Sequence, residues 1–242
     1  MSERKCVFCG KTKLSREHIF AQWLLKELDI YDDDVTMSHN SFIGAPISNR
    51  KHSFSNLVNG LVCEDCNNGW MSQLEDDCKE HIINLMNMND IKSELKFLEE
   101  HSYIIAKWAF KNVILLNSST NYRKIVPDKH YTALYEGSIP EGVFIDLAFC
   151  KSESELEWRQ AIGGLVRMDI GIPFDRNKER YLITFKIKNL LIKVVFYKSL
   201  DKVHYEDEGA IRIFPQLGAY GNFKLFDGID DFDLHGVIHE YK

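Results

Sequence analysis

Val62-Cys63-Glu64-Asp65-Cys66-Asn67-Asn68-Gly69-Trp70-Met71-Ser72 decides how the front of this chain folds. It carries a Cys-x-x-Cys pair, and far upstream Cys6-Val7-Phe8-Cys9 repeats the spacing. Each pair is a knuckle that offers two thiolates to one ion. Four thiolates satisfy Zn²⁺ in tetrahedral geometry with no open position, so the spacing predicts a structural zinc site on Cys6, Cys9, Cys63 and Cys66. Gly10 gives the first knuckle the conformational freedom to turn. A thioredoxin-type redox centre needs one pair in a βαβ setting, and neither condition fits. Cys78 and Cys150 stand alone and read as buried small apolar residues.

The 242 residues suit one large domain or two modest ones, and 45% apolar content is enough for a core. Ten Tyr, fifteen Phe and four Trp exclude a disordered chain. No apolar run reaches membrane-span length and the first residues have no signal-peptide character, so the expectation is a cytoplasmic protein with no membrane association, in which paired cysteines mean metal more readily than disulfide. A net charge of −6 argues against a surface coated for wrapping nucleic acid. Locally, Arg4, Lys5, Lys11, Lys13 and Arg16 face a single acid, Glu3, which makes this stretch the first candidate for phosphate contacts, with a solvated loop as the plain alternative.

Behind the second knuckle, Met71, Leu74, Cys78, Ile82, Leu85 and Met88 recur at helical spacing, with Glu75, Asp76, Lys79 and Glu80 on the opposite side. A break at Asn87 to Asp90 precedes a second helix over Ile91 to Leu116, burying Leu95, Leu98, Ile105, Trp108, Ala109 and Leu116. Farther on, Tyr181, Ile183, Phe185 and Ile187 alternate with Leu182, Thr184, Lys186 and Lys188, the period of a half-buried strand. A Lys188-Asn189 turn folds it back onto Leu190 to Tyr197, and Val143 to Cys150 and Ala210 to Phe214 are further strands. Glu153, Glu155, Glu157 and the run Glu206-Asp207-Glu208 read as exposed acids. The expected class is α+β: a zinc-stapled module over 1–80, a helical connection over 81–118 and a mostly antiparallel α+β domain over 119–242 for recognition or oligomerisation.

Between the knuckles lies Ser15-Arg16-Glu17-His18-Ile19. A Glu-His pair alone is commonplace; one eight residues behind a zinc knuckle is not. Cys6-x2-Cys9, Glu17-His18, Cys63-x2-Cys66 and Asn67 together resemble the four-cysteine class of HNH endonucleases, which carry the ββα-metal fold. The longer string through Trp70 resembles a bacterial and phage subset with Asn-Asn-Gly-Trp after the second knuckle. The likeness covers residues 5–75.

The resemblance implies hydrolysis of DNA phosphodiesters, in a phage-defence or mobile-element setting. It gives His18 the part of general base and makes Glu17 and Asn67 oxygen ligands for a catalytic Mg²⁺ or Mn²⁺. Neighbouring strand residues point to opposite sides, so Glu17 and His18 share a site only where the backbone is twisted or bulged. The family's central asparagine falls to Asn56, with Asn59 as the alternative. The 44 residues from Ile19 to Val62 are long for a compact hairpin, and they carry Asp32-Asp33-Asp34, His39 and His52. Trp70 is expected to anchor the following helix to the zinc hairpin rather than to touch a base. The rival function is a zinc-stapled nucleic-acid or protein binding module with an inactive centre. A homo-oligomer or partner protein completing the DNA groove is a further expectation.

Overall fold

A computed structural model of the chain describes residues 4–40, 46–120, 124–151, 153–162, 180–198, 203–219, 222, 224–234 and 236–240. The front begins with strand β1 (Leu14–His18), followed by a short helix α1 (Gln22–Glu27) and an antiparallel ribbon, β2 (Asp34–Asn40) with β3 (Pro46–Ser53). Strand β4 (Val58–Cys63) then returns antiparallel to β1. The long insertion therefore folds into α1 and the ribbon, and leaves β1 and β4 paired as a compact hairpin would.

Cys63 caps a single helical turn, α2 (Glu64–Cys66), which passes through a wide turn over Asn67–Met71 into α3 (Ser72–Met86). The helix thus starts at the knuckle itself and kinks at Gly69 (φ −97°, ψ −113°). The break over 87–90 uses left-handed Met88 and Asp90, and the Asp90 carboxylate accepts from Ser93 N (3.4 Å) to start α4 (Ile91–Ser119).

At about 1.5 Å per residue α4 is roughly 43 Å long, and it is the axis of the molecule rather than a connector. From Trp108 to Ser118 every residue is buried. A helix buried all round must be covered on several sides. β4 lies against α4, as do β5 (Val143–Cys150), β8 (Leu190–Tyr197) and β10 (Ile211–Phe214) of the large sheet. One apolar core therefore runs from Cys6 and Phe8 through α3 and α4 to Ile192 and Phe196. Residue 80 falls inside α3, and residues 81–118 are the end of α3 and nearly all of α4. Leu95, expected in the core, is 38% exposed because it sits on the outer end of α4.

After α5 (Asp128–Tyr135) the chain builds a sheet ordered β11-β10-β5-β8-β7-β6, with β6 (Leu156–Ile162), β7 (Arg180–Ile187) and β11 (Gly218–Ala219). All these pairings are antiparallel, and the short β12 (Leu225–Phe226) adds in parallel to β5. Helix α6 (Ile229–Leu234) packs on the sheet beside β12, and β9 (Val203–Asp207) pairs with β13 (Gly236–Glu240). The architecture is mixed helix and strand, as an α+β class requires.

The half-buried strand expected at 181–188 is buried on both faces. Tyr181, Ile183, Phe185 and Ile187 meet α4's core, whereas Thr184 and Lys186 lie on the other face, fully buried. There the register sets Arg212, Asp146, Lys193, Thr184 and Arg159 in one row across five strands. Buried polar groups persist only when partnered. Arg212 donates twice to Asp146 (2.6 and 3.0 Å), Lys193 to Asp207 (2.6 Å) and Thr184 to Asp233 (2.5 Å). Asp207 is accordingly buried, not an exposed acid, and Glu155 is half-buried; Glu153, Glu157 and Glu208 are exposed. Among the described residues no helix is long and apolar enough to cross a membrane.

Candidate functional site

Two turns present the four thiols. In the first, Cys6 N donates to Lys11 O (2.8 Å) and Gly10 N to Cys6 O (2.9 Å), with Gly10 in the left-handed region (φ +75°) that favours glycine. In the second, Cys66 N donates to Cys63 Sγ (3.4 Å). Val7 N donates to Leu61 O (2.9 Å) and ties the two together. Cys6 Sγ lies 3.9 Å from Cys66 Sγ, Cys9 Sγ 3.4 Å from Cys63 Sγ, and all four sulfurs fall within 4.8 Å of one another. Sulfurs about 2.3 Å from one tetrahedral Zn²⁺ stand about 3.8 Å apart, whereas a disulfide needs about 2.05 Å. The four cysteines are close enough together to hold a zinc ion. Among the described residues they are the one cluster of three or more Cys, His, Asp or Glu side chains placed for a single metal.

Burial raises the thiols of Cys9 and Cys66. For Cys6 burial is outweighed by hydrogen bonds from the backbone of Cys9, Cys63 and Phe8, which bring its thiol below the ordinary value. Trp70 stands edge-on to Phe8 (centroids 5.3 Å, 81°) and packs into the core, in the anchoring place expected of it. Its buried indole N–H makes no hydrogen bond within ordinary distance, yet still favours the thiolate of Cys66 beside it. Lys11 and Lys13 pair with Asp65 (2.6 Å) and Glu64 (2.5 Å) of the second knuckle. That leaves Arg4, Lys5 and Arg16 as the exposed cations of the basic stretch not paired with those acids.

The staple sets the position of β1. The strand pairs Ser15 with Val62, then slips so that Glu17 faces Asn59 and His18 faces Val58. The irregularity falls at Arg16, one step ahead of the Glu-His pair. Beyond it Ile19 N donates to Leu57 O (2.9 Å), and Phe20 packs on Trp158 and Phe185 of the large sheet. The end of β1 is thereby fixed to both halves of the molecule.

Asn67 donates through Nδ2 to Ser15 Oγ (3.2 Å), two residues from Glu17, which leaves its carbonyl oxygen available. Glu17 is half-buried, close enough to Lys111 of α4 and Glu75 of α3 to feel both charges. Burial raises its carboxyl to about 7, with Lys111 pulling down and Glu75 pushing up. His18 stands where Gln22 Nε2 lies 3.3 Å from its Nδ1 and Tyr31 flanks the ring (centroids 6.4 Å). Burial lowers the imidazole below its ordinary value, against a backbone hydrogen bond to Ser55 that raises it, so the ring is neutral at pH 7. The structure thus brings Asn67, Glu17 and His18 to successive points along β1. Among the described residues no hydrogen bond or ion pair joins the three directly.

Asn56 and Asn59 separate clearly. Asn56 is exposed and, among the described residues, its amide donates to Ser53 Oγ alone (2.7 Å). Asn59 is buried opposite Glu17; its amide donates to Ser118 Oγ and to Leu115 O (3.4 Å), and its carbonyl accepts from Leu61 N (2.9 Å). The asparagine that locks this hairpin to its surroundings is Asn59. Two residues escaped the sequence reading. Glu75, assigned to the polar side of α3, is buried: Trp23 and Trp108 donate to its Oε2 (2.8 and 2.9 Å) and Lys111, wholly buried, to its Oε1. The signal for it was Lys111, which with Asn112 interrupts the apolar run from Trp108 to Leu116 of α4.

No family model, no curated protein and no solved structure matches this chain.

Proposed function

We propose that this protein is a metal-dependent HNH-type endonuclease that hydrolyses DNA phosphodiester bonds. The observation that carries the reading is the four-sulfur cluster, which holds β1, with Glu17 and His18, against the turn that carries Asn67. Zn²⁺ in that cluster is structural, because four thiolates leave no position for a substrate. His18, neutral near pH 7, takes the proton of the attacking water. The carboxylate of Glu17 and the carbonyl of Asn67 are hard oxygen donors suited to Mg²⁺ or Mn²⁺, which supplies charge stabilisation at the phosphate and the departing 3′-oxygen. Asn59 holds β4 beside Glu17 as a positioning residue.

The second reading is a zinc-stapled binding module with an inactive centre. It draws on the partial burial of Glu17 near the charges of Lys111 and Glu75. Supercoiled plasmid incubated with and without Mg²⁺ separates the two. The nuclease reading expects metal-dependent nicking, lost by about 10²-fold or more in His18→Ala protein that keeps its zinc and its fold. Wild-type nicking rates in His18→Ala would remove His18 from the mechanism; no nicking with Mg²⁺ or Mn²⁺ would leave the binding module.

A further inference from the structure

The β2–β3 ribbon has no assigned role, and its position is specific. It rises directly from the His18 region: Ser55 N donates to Tyr31 O (2.9 Å) and Phe54 N to Asp33 O (3.0 Å), closing its base beside the residues that flank the imidazole. Among the described residues neither β2 nor β3 pairs with any other strand. The ribbon is about 20 Å long at 3.4 Å per residue, and a two-stranded ribbon needs one face packed to be stable in water.

Its two faces differ. Residues directly opposite in an antiparallel pair share a face. Val35 and Met37 lie on one face and pack on the protein's core. The other face sets Thr36 opposite Lys51 and Ser38 opposite Asn49, all four exposed. No side chain of these four, nor that of the exposed Arg50 opposite Met37, makes a hydrogen bond or ion pair among the described residues. The ribbon's acids are gathered at its base: Asp32 and Asp33 precede it, and Asp34 sits on the first rung opposite Ser53. Beyond that rung the outward face carries hydroxyls, an amide and an ammonium group, with the exposed Ile47 at its far end. The polar groups are those that hydrogen-bond base edges, Asn to adenine and Lys to guanine, with Ser and Thr able to bond either. A two-stranded ribbon fits the major groove, about 12 Å wide, and not the minor groove of about 6 Å.

We propose that the β2–β3 ribbon is a DNA-reading arm that lies in the major groove beside His18, with Thr36, Ser38, Asn49 and Lys51 towards the base edges and the exposed Arg50, on the Met37 side, reaching round the edge of the ribbon to a phosphate. The inference rests on the nucleic-acid part of the reading above and is independent of cleavage.

The test measures binding of a labelled random-sequence 30-base-pair duplex to the full chain, without added Mg²⁺, over a salt series. The Arg50→Ala/Lys51→Ala protein is expected to bind about tenfold more weakly at 100 mM salt, with a log–log salt slope shallower by about 1 to 2. The Thr36→Ala/Ser38→Ala/Asn49→Ala protein is expected to keep non-specific affinity within about twofold and to relax the sequences recovered from a random library. A duplex whose cytosines carry glucosylated hydroxymethyl groups, which fill the major groove, is expected to lose binding by about tenfold or more. All the substituted side chains are exposed, so zinc content and melting temperature serve as folding controls. Unchanged affinity and slope in the double variant overturn the proposal. So does full binding to the glucosylated duplex, or a double variant that changes only the oligomeric state, which would make the arm a contact between copies of this chain. Duplex binding through the arm without any nicking keeps this inference and removes the nuclease. Nicking with a KM for DNA unaltered in the double variant does the reverse.

Discussion

The two halves of this molecule reach order by opposite routes. Residues 4–71 contain short strands, the six-residue α1, the single turn α2 and a ribbon exposed on one face, and their turns converge on four sulfur atoms. The large sheet needs no such point of attachment: β5 and β8 are buried at every position and β7 at all but its first. Stability in the back half is spread over dozens of apolar contacts; the front adds the four-sulfur cluster to a smaller set of buried apolar residues, Phe8, Phe20, Leu24 and Leu25 among them. Such a point of attachment suits a functional site. A staple can fix Asn67 against Ser15 and leave the ribbon and His18 open, which a closed apolar core would not.

Removing the staple breaks the comparison most directly. Metal-binding energy in a four-cysteine site is folding energy, of the order of 10 kcal/mol or more. Cys63→Ser is therefore expected to lose bound zinc and the order of β1 and β4, while β7 and β8 stay protected. Amide hydrogen exchange read strand by strand, with elemental analysis for zinc, checks this. Loss of protection throughout the sheet would mean that the shared core along α4 makes front and back a single cooperative unit.

That shared core contains the next largest effect. Glu75 and Lys111 lie where the halves meet, and Trp23 of α1 and Trp108 of α4 both donate to the same carboxylate. Taking away one member of a buried ion pair leaves the other uncompensated, typically at a cost of about 3–5 kcal/mol. Lys111→Met is expected to lower stability to chemical denaturant by that amount. Lys111→Met combined with Glu75→Gln is expected to recover much of it, since the amide still accepts from an indole and carries no charge. Additive losses in the double variant would show that the tryptophan contacts, not the charges, hold the junction.

What the sequence disclosed follows the same division. The cysteine pairs and the alternating strands were legible because their spacing is a local geometric constraint: β5 spans Val143–Cys150 as read, and β8 spans Leu190–Tyr197. Glu75 was not legible, because a helical period assigns a carboxylate to solvent unless its partner is known, and Lys111 lies 36 residues away. Thr184 and Lys186 misled in the same manner. They alternate with apolar residues as a solvent face would, but Thr184 bonds Asp233 and Lys186 bonds Ser154 from distant segments. Between Ile19 and Val62 the sequence showed only excess length, and neither α1 nor the ribbon was foreseen. Motif spacing leaves Asn56 and Asn59 in competition, and the partner that buries Asn59, Ser118, lies beyond its reach.

Glu17 sharpens the comparison with the smallest effect, because there the front's functional demand opposes its stability. Burial favours the neutral carboxyl and raises it from the usual carboxylate range to about 7. Between pH 4.5 and about 7 the folded protein therefore binds more protons than the unfolded chain, and stability falls as pH rises through that window. Below it Glu17 costs nothing; above it the penalty is complete. Glu17→Gln removes the ionisation and keeps the shape. In thermal melts without added divalent cation, the variant is expected to be more stable than wild type at pH 8, and less so at pH 6, the gap widening by roughly 1 kcal/mol between the two. Millimolar Mg²⁺ at pH 8 is then expected to raise the melting temperature of the wild type and not of the variant, since only a carboxylate gains from the cation. A gap that does not change with pH would mean that Glu17 is ionised at low cost in the folded state. An equal Mg²⁺ response in both proteins would remove Glu17 as a ligand and favour the inactive binding module.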